Sequence, residues 1–342
     1  MLAFQNMAKI YYYICIWAVC LLAACSAGDD ATSFPGQADA ENRVGVTLQL
    51  SALSSQTSQS SRSSLTRAGW ETDTEAWPGE MMKSWFVVVV QNGMIEKIIT
   101  SDLKSLGVPE VEKDQVFVKL KTGATTFYSF ANIKPEEIGL NASTSVGQQL
   151  PDGFDEKTYQ MDGNSKLFHL SMTSDFQNGY PMSNKQTVDV VDNQQVINLE
   201  VIRMVAKVQL FITNATDHDI VLKSITLSDV TQNGNPNVKL LPNVDSNNQL
   251  KGVNLADGVA KGTITLTAAE NNGITIGKKA TQTAYFYMNE SLVDKREDGG
   301  NRYFILSLTT VDEATGTTSN HRYAMLSWNE IRRNDYLKIP IK

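Results

Sequence analysis

The chain has 342 residues, of which 42% are hydrophobic and 20% are charged. This composition is that of a globular protein with a sizeable core, and the length is enough for about two domains. The formal net charge is −7 and no basic stripe runs along the sequence, which argues against a nucleic-acid-binding surface. We therefore expect an acidic globular protein without a nucleic-acid partner.

Residues 1–24 are predicted to be a lipoprotein signal peptide. Lys9 precedes an apolar run, Ile10–Ala24, that is too short to span a bilayer comfortably and ends in small residues. The last residues before Cys25 are Leu-Ala-Ala, and together they resemble the lipobox of bacterial lipoproteins. Cys25 would then carry acyl chains such as palmitate and anchor the precursor in outer-membrane lipid. The alternative is an ordinary signal peptide with a chance cysteine.

An isolated strand follows the polar tether after Cys25. Residues 44–50 alternate with a period of two, which is typical of a half-buried strand. The apolar residues on its predicted inner face are Val44, Val46, Leu48 and Leu50. A Ser-rich stretch, Ser54–Ser64, follows this strand and is typical of a linker. Residues 25–67 are thus interpreted as a lipidated tether with a propeptide strand.

The folded part begins near Trp70 and consists of many short β-prone segments. Asn92-Gly93 joins two apolar runs and predicts a hairpin, and Pro135 predicts the first turn of a short helix. No strong long amphipathic helix is present. A fresh alternating run after Val201 places these residues on one face: Met204, Ala206, Val208, Leu210 and Ile212. The pattern predicts an all-β protein with β-sandwich domains at 68–200 and 201–342 and few short helices.

No motif for catalysis or for metal or cofactor binding stands out. The three histidines, His169, His218 and His321, are far apart, and neither a zinc-protease pattern nor a nucleophile elbow occurs. The two cysteines besides Cys25 lie inside the signal peptide, so the mature body has none for a disulfide. We expect no enzymatic activity, metal or cofactor. Four tryptophans suit either a sugar-stacking platform or, as we prefer, core and rim positions: Trp70, Trp77, Trp85 and Trp328.

Several short pieces, in their order along the chain, resemble the Bacteroidetes fimbrillins, the FimA- and Mfa-like major or minor subunits of type V pili. After the lipobox these pieces are Thr66–Ala68 (TRA), the QNG at Asn92, Phe127–Ile133 (FYSFANI), Arg203–Asn214 (RMVAKVQLFITN), Ala284–Glu290 (AYFYMNE) and Arg333–Ile341 (RNDYLKIPI). The resemblance covers most of the chain. It implies that each domain is a β-sandwich of transthyretin-like type.

The resemblance also implies maturation by an arginine-specific protease that cuts in the linker. Arg67, followed by Ala68, is the preferred site because TRA resembles the usual processing context, and Arg62 remains the alternative. Arg43 precedes the strand, so a cut there would leave the strand in place. A cut after Arg67 would remove the lipid and the strand together. The vacated groove would be flanked by unpaired backbone groups that favour strand addition.

The resemblance assigns the filling of that groove to the C-terminal segment of a neighbouring subunit. In Asp335–Ile341 the alternating residues Leu337, Ile339 and Ile341 would form the donor strand. Pro340 cannot donate a ladder hydrogen bond, so it belongs at an edge or near an end. The alternative is that this segment is simply the last strand of its own domain.

The sequence thus predicts a structural fimbrial subunit that supports adhesion. It would be exported as an outer-membrane lipoprotein precursor, cut by the protease, and polymerised with other fimbrial subunits into a fimbrium at the cell surface. Whether it forms the shaft or the tip is left open. The alternative function is a surface lipoprotein that binds glycan or another ligand and never polymerises. A surface hydrolase would need a clustered acidic or histidine site.

Overall fold

The computed structural model describes residues 43–53, 81–103, 110–160, 179–191, 194–231, 237–267, 273–293, 303–325 and 329–342. All of them belong to one compact unit, Arg43–Lys342. Within these ranges the regular elements are β-strands and two short 3-10 helices, Pro135–Ile138 and Phe154–Glu156. The all-β class is confirmed. None of the described helices is long and apolar enough to cross a membrane.

The short helix that Pro135 predicts is present. Pro135 occupies its first turn, where the missing N–H costs nothing because that donor has no partner inside the helix. Gly139 ends it with a φ of 73°, a left-handed conformation that glycine adopts at little cost. The Asn92-Gly93 hairpin is also confirmed, since both residues have positive φ, 50° and 78°. That pair of angles is the one that a two-residue turn between twisted strands requires.

The described residues up to Arg203 contain eight strands. They are β1 Arg43–Ala52, β2 Ser84–Gln91, β3 Met94–Asp102, β4 Lys113–Lys121, β5 Gly123–Ala131, β6 Thr158–Gln160, β7 Met182–Val190 and β8 Gln195–Arg203. Seven of them follow the order β3-β2-β5-β7-β8-β1-β4. Neighbours are antiparallel except β1 and β8, which are parallel.

The path of strands folds over between β7 and β8. These two strands pair only where Met182–Ser183 meets Ile202–Arg203. Beyond that corner, β8-β1-β4 packs against β3-β2-β5-β7 with one apolar cluster between them, which we call the N-terminal core. Trp85, Val87 and Val89 of β2 belong to this core. The arrangement is a β-sandwich whose inner faces follow the period-two pattern of the sequence.

The described residues after Arg203 contain eleven strands. They are β9 Val205–Thr213, β10 Ile220–Thr231, β11 Asn237–Lys239, β12 Lys261–Thr267, β13 Ile274–Ile276, β14 Thr281–Asn289, β15 Ser291–Leu292, β16 Ile305–Asp312, β17 Thr318–Ala324, β18 Glu330–Ile331 and β19 Tyr336–Ile341. The sheet β14-β9-β19 packs against β12-β10-β16-β17, with β13 also paired to β10. The apolar cluster between these sheets is the C-terminal core. This second sandwich confirms the predicted fold class.

A third apolar cluster contains residues from both parts of the chain. The outer face of β2 contributes Phe86 and Val88, and the later part of the chain contributes Leu240, directly after β11, and Tyr287 of β14. The strand β6 pairs with β11 across the same region. These contacts join the two sandwiches through burial and backbone hydrogen bonds. Since the N-terminal core covers one face of β2 and this third cluster covers the other, β2 is buried on both faces.

Met204 departs from the prediction. We expected it on one face with Ala206 and Val208, but it lies between β8 and β9 and packs in the third cluster. The reason is that β8 runs on to Arg203 and the chain bends before β9 begins at Val205. The division into domains at 68–200 and 201–342 stays a prediction.

Candidate functional site

The strand β1 lies in the interior of its sheet, between β4 and β8. Arg43–Ser51 runs antiparallel to β4, and Val46–Ala52 runs parallel to β8. The pairing continues beyond the strand, because the Leu53 amide donates to the Val201 carbonyl oxygen at 2.8 Å. An interior strand satisfies backbone groups on both sides, so its loss would leave two rows of donors and acceptors without partners.

The inner face of β1 is part of the N-terminal core. Val44, Val46, Leu48 and Leu50 are 8%, 0%, 2% and 2% exposed. They share the cluster with Val87 of β2, on the opposite sheet. The predicted half-buried strand is therefore confirmed. Its displacement during maturation stays a prediction.

The strand β4 depends on β1 for its place in the sheet. Among the described residues β4 pairs with no other strand. Side chains of β2 add further attachments: the Trp85 indole donates to the Asp114 carboxylate at 2.7 Å, and the Gln91 amide donates to the Lys121 carbonyl oxygen at 2.9 Å. Without β1, the gap between β4 and β8 would be two strand spacings, about 9.6 Å, which is the width that one inserted strand fills.

The outer face of β1 carries a close approach at Gly45. A Cβ added to Gly45 would lie 2.5 Å from Cζ of Phe117, whose ring covers this position from β4. Phe117 is 65% exposed, so the ring is an apolar cover on the solvent side of the sheet. Any strand that occupies this place must either be small opposite Phe117 or turn the ring away.

The beginning of β1 is held by charge. The Arg43 guanidinium lies 2.5 Å from the Glu96 carboxylate of β3, and the Lys121 ammonium of β4 lies 3.3 Å from the same carboxylate. Glu96 is therefore shared by the first residue of β1 and the last residue of its partner strand. Removal of β1 would leave Lys121 at that carboxylate.

The predicted donor segment forms β19, at the edge of its own sheet. It runs parallel to β9, with Tyr336–Ile341 opposite Lys207–Ile212. Leu337 and Ile341 are 0% and 5% exposed in the C-terminal core, and Ile339 packs against the same core. The predicted alternation is confirmed. In this structure the segment completes its own sandwich, and its transfer to a neighbouring subunit stays a prediction.

The four residues before β19, Arg332–Asp335, form a buried polar turn that we call the RRND turn. Arg333 is fully buried and Glu290 is 1% exposed. Their side chains form a two-pronged ion pair, with Nε to Oε1 at 2.8 Å and Nη2 to Oε2 at 3.0 Å. Nη2 of Arg333 also donates to the Lys239 carbonyl oxygen at 2.8 Å. Bidentate pairs of this kind are among the strongest and most directional polar contacts in proteins.

Arg332 and Asp335 close the turn on itself. The Asp335 carboxylate accepts from the Arg332 amide at 2.8 Å and from its guanidinium at 3.1 Å. Burial raises the pKa of Asp335 to about 6, and the neighbouring Arg332 charge opposes this shift only in part. The Asp335 carboxylate is thus held in a place where its charged form is costly.

Arg203 links the turn to the end of β1. One nitrogen of its guanidinium, Nη1, donates to the Leu53 carbonyl oxygen at 3.0 Å and to Oδ1 of Asn334 at 3.1 Å. Asn334 has a φ of 61°, and its amide donates to the Val205 carbonyl oxygen at 2.9 Å. The end of β1 and the RRND turn therefore share one charged donor.

The predicted processing residues Cys25, Arg67 and Ala68, with the alternative Arg62, lie outside the described residues. So do Trp70, Trp77 and Trp328. Trp85 is 3% exposed and lies in the N-terminal core, which agrees with the preferred core position and not with a sugar-stacking platform at the surface. His218 and His321 are exposed. Within the described ranges, no group of three or more His, Cys, Asp or Glu side chains could hold a metal ion.

Sequence reasoning missed the polar residues that hold the RRND turn in place. Arg203, Glu290 and Arg333 are members of the segments that carry the family resemblance, yet no role followed from them. A signal was present, since Glu290 lies two residues after a run of apolar and aromatic residues, Ala284–Met288, where an ionised side chain needs a partner. The partner, Arg333, is 43 residues away in the sequence.

Comparison with solved structures agrees with this architecture. The chain is similar to the tip fimbrial protein Mfa3 of Porphyromonas gingivalis, solved with a C-terminal truncation, with a TM-score of 0.51 and 16% identity over 87% of this chain and 94% of that one. It is also similar to the fimbrilin FimA of that organism, at a TM-score of 0.46 and 13% identity over 85% and 88% of the two chains. It is similar as well to the fimbrial anchor protein Mfa2 of the same organism, with a TM-score of 0.40 and 11% identity over 87% of this chain and 89% of that one.

No protein-family model matches the chain, and no curated protein matches it by sequence. The structural likeness to Mfa3 extends over nearly the whole of both chains. The chain therefore has a fimbrillin-like fold, as the resemblance in its sequence implies.

Proposed function

We propose that the chain is a structural subunit of a surface fimbria. It is exported as a lipoprotein anchored through Cys25, matured by a cut after Arg67, and polymerised when a strand from a neighbouring subunit replaces β1. Cys25 and Arg67 enter this proposal from the sequence, and β1 enters it from its position in the sheet. The Mfa3 structure, described as a tip fimbrial protein, shares the fold and supports a fimbrial role.

The observation that carries the proposal is the position of β1. Its inner face belongs to the N-terminal core, and β1 ends at Ala52, well before β2 begins at Ser84. The intervening sequence contains both Arg62 and Arg67, so one cut there would separate the strand from the rest of the sandwich. Once β1 is no longer covalently joined to the rest of the sandwich, another strand can take its place in the sheet.

The segment β19 is suited to the vacated place. Its apolar residues alternate, as those of β1 do, and they already serve as one face of a sandwich core. An edge strand with one partner is also the easiest kind of strand to detach. We propose that β19 is the donor and that other copies of the chain, or related subunits, are the acceptors.

The first test is the N-terminal sequence and intact mass of the protein sheared from the cell surface. The proposal expects a chain that begins at Ala68 and runs as a ladder on unboiled gels. The variant Arg67→Ala should retain the lipidated precursor, and Arg62→Ala is its matched control. A chain that still begins at acylated Cys25 and forms no ladder would overturn the proposal. It would instead favour a ligand-binding lipoprotein that does not polymerise.

A further inference from the structure

The C-terminal residues of the chain have two kinds of attachment. The RRND turn is joined to distant parts of the fold by several buried side chains. The strand β19 is joined by one backbone ladder, by its apolar face and by Tyr336, whose hydroxyl donates to Gln209 and whose ring lies under the Lys207 ammonium. If β19 moves to another subunit, as the proposed function requires, the movement must begin at some residue. The contacts of the RRND turn and of β19 indicate where that residue lies.

The attachments of the RRND turn reach three separate parts of the chain. Arg333 pairs with Glu290 and donates to the Lys239 carbonyl oxygen at 2.8 Å. Arg332 donates to the Leu250 carbonyl oxygen at 3.2 Å, and Asn334 accepts from Arg203 at 3.1 Å. All four residues of the turn are 9% exposed or less. The turn is therefore fixed by polar contacts that are shielded from water.

The contacts of β19 are of a kind that another site can replace. Its backbone pairs with β9 only, at the end of the described sheet, and Pro340 is exposed. The apolar face of β19 would find an apolar lining between β4 and β8, because the N-terminal core around β1 is built from hydrophobic side chains. Transfer of this strand would therefore exchange one buried face and one ladder for similar ones, and it would give up the contacts of Tyr336 with Gln209 and Lys207.

The contacts of the turn have no such replacement. Among the described residues the buried carboxylates are Glu290 and Asp335, and both belong to the turn's own site. Withdrawing Arg333 would leave Glu290 buried with its charge unpaired, which is one of the costliest changes in a protein interior. The vacated place of β1 offers no described buried acid to receive the guanidinium.

We propose that Arg333 is the positioning residue that fixes the root of the C-terminal strand, so that only Tyr336–Ile341 leaves its own subunit. The RRND turn stays seated and acts as the hinge. This inference rests on the proposed function, because it names the part of the chain that moves during strand exchange.

Two buried residues on either side of the turn form a matched pair for the test. Ile331 and Leu337 are both 0% exposed and both lie in the C-terminal core. The chain from Ser26 onward contains every described residue and no cysteine, so Ile331→Cys and Leu337→Cys each introduce a single thiol. Leu266→Cys, also at a fully buried position of the same core, reports global opening.

The measurement is the rate at which each thiol reacts with a maleimide under native conditions. We expect the thiol at 337 to react at least about 100-fold faster than that at 331, because local opening is more frequent than global opening. The thiol at 331 should react no faster than that at 266. Equal rates at 331 and 337 would mean that turn and strand move together. Equal rates at 337 and 266 would mean that β19 does not detach locally. Either result overturns the inference.

A second variant tests the named residue. Arg333→Met should raise the rate at 331 towards that at 337, whereas Arg322→Met on the exposed strand β17 should not. If Arg333→Met also raises the rate at 266, the milder Glu290→Gln replaces it, and the same ordering is required. Polymerisation is scored separately by the ladder on unboiled gels. A chain with the expected rates and no ladder contradicts the proposed function and leaves the hinge in place.

Discussion

At the scale of single residues, the candidate site differs from the rest of the described fold because its carboxylates are buried. Arg333, Glu290 and Asp335 are shielded from water. A buried pair with all its bonds made is close to neutral in net stability, but a broken one is strongly destabilising. The Arg333–Glu290 pair therefore fixes the position of the RRND turn and adds little net stability.

This asymmetry predicts the effect of breaking the pair. Arg333→Met should lower the free energy of unfolding by about 3–5 kcal/mol, because Glu290 would remain buried and unpaired. The double variant Arg333→Met/Glu290→Met should recover most of that loss. Urea unfolding at neutral pH measures both. Arg322→Met, at an exposed position, is the control and should change stability by about 0.5 kcal/mol or less. A cost for Arg333→Met no larger than for this control would contradict the argument.

Asp335 predicts a pH dependence with a definite sign. Its folded pKa is raised to about 6 from 3.8, so the folded state binds the proton more tightly than the unfolded state does. The contribution is therefore largest below pH 4 and is lost as the pH rises towards and through 6. The loss is on the order of 3 kcal/mol for a shift of this size.

The measurement compares the chain with its Asp335→Asn variant in urea unfolding at pH 4.5 and pH 7. The difference in stability between the two proteins should change over this interval, with the unmodified chain losing more as the pH rises. Asp152→Asn, on an exposed turn, should leave the pH profile unchanged. Identical profiles for all three proteins would show that Asp335 does not titrate in this range.

At the scale of elements, local patterns and long-range pairing differ in what a sequence shows. The alternation of β1 and β19, the Asn92-Gly93 hairpin and the Pro135 turn depend on neighbouring residues, and all were predicted. The place of β1 between β4 and β8 could not be, because Leu48 pairs with Val116 and Ile197, both far along the chain. The bend at Met204 was missed because apolar residues continue on both sides of it.

The detachment of β19 predicts that tying it to β9 stops polymerisation. Lys338 and Gln209 are opposite each other in the parallel ladder, so the variant Gln209→Cys/Lys338→Cys is expected to form a disulfide across it. The oxidised protein should be processed but should give no ladder on unboiled gels, and reductant should restore the ladder. The mature chain has no native cysteine to interfere.

The matched control ties two strands that are not expected to separate. Thr309 and Asn320 are opposite each other in β16 and β17 of the same sandwich, so Thr309→Cys/Asn320→Cys places the same bond elsewhere. It should polymerise in both redox states. A ladder from the oxidised 209/338 variant would exclude β19 as the donor and leave the segment as the last strand of its own sandwich.

At the scale of the whole molecule, maturation to Ala68 would change stability and leave the charge unchanged. Loss of the signal peptide and the proposed cut would together remove four basic residues, Lys9, Arg43, Arg62 and Arg67, and four acidic ones, Asp29, Asp30, Asp39 and Glu41, so the net charge would stay at −7. Loss of β1 would expose its four inner side chains, which is worth about 6–12 kcal/mol at 1.5–3 kcal/mol each. That equals most of the stability of an ordinary domain, about 5–15 kcal/mol. A subunit with an empty groove is therefore close to unfolding.

This comparison predicts that the cut alone does not empty the groove. The cut fragment that contains β1 should stay bound to its own subunit until a donor strand replaces it, because no intermediate with an open groove is stable enough to accumulate. Native mass spectrometry of the freshly cut 209/338 disulfide variant, which cannot donate, should show the fragment up to Arg67 still bound. With Val46→Asp, at a fully buried position, the fragment should be lost, whereas Thr47→Asp on the outer face should keep it. Release of the unmodified fragment immediately on cutting, with the subunit still folded, would show that the groove tolerates being empty.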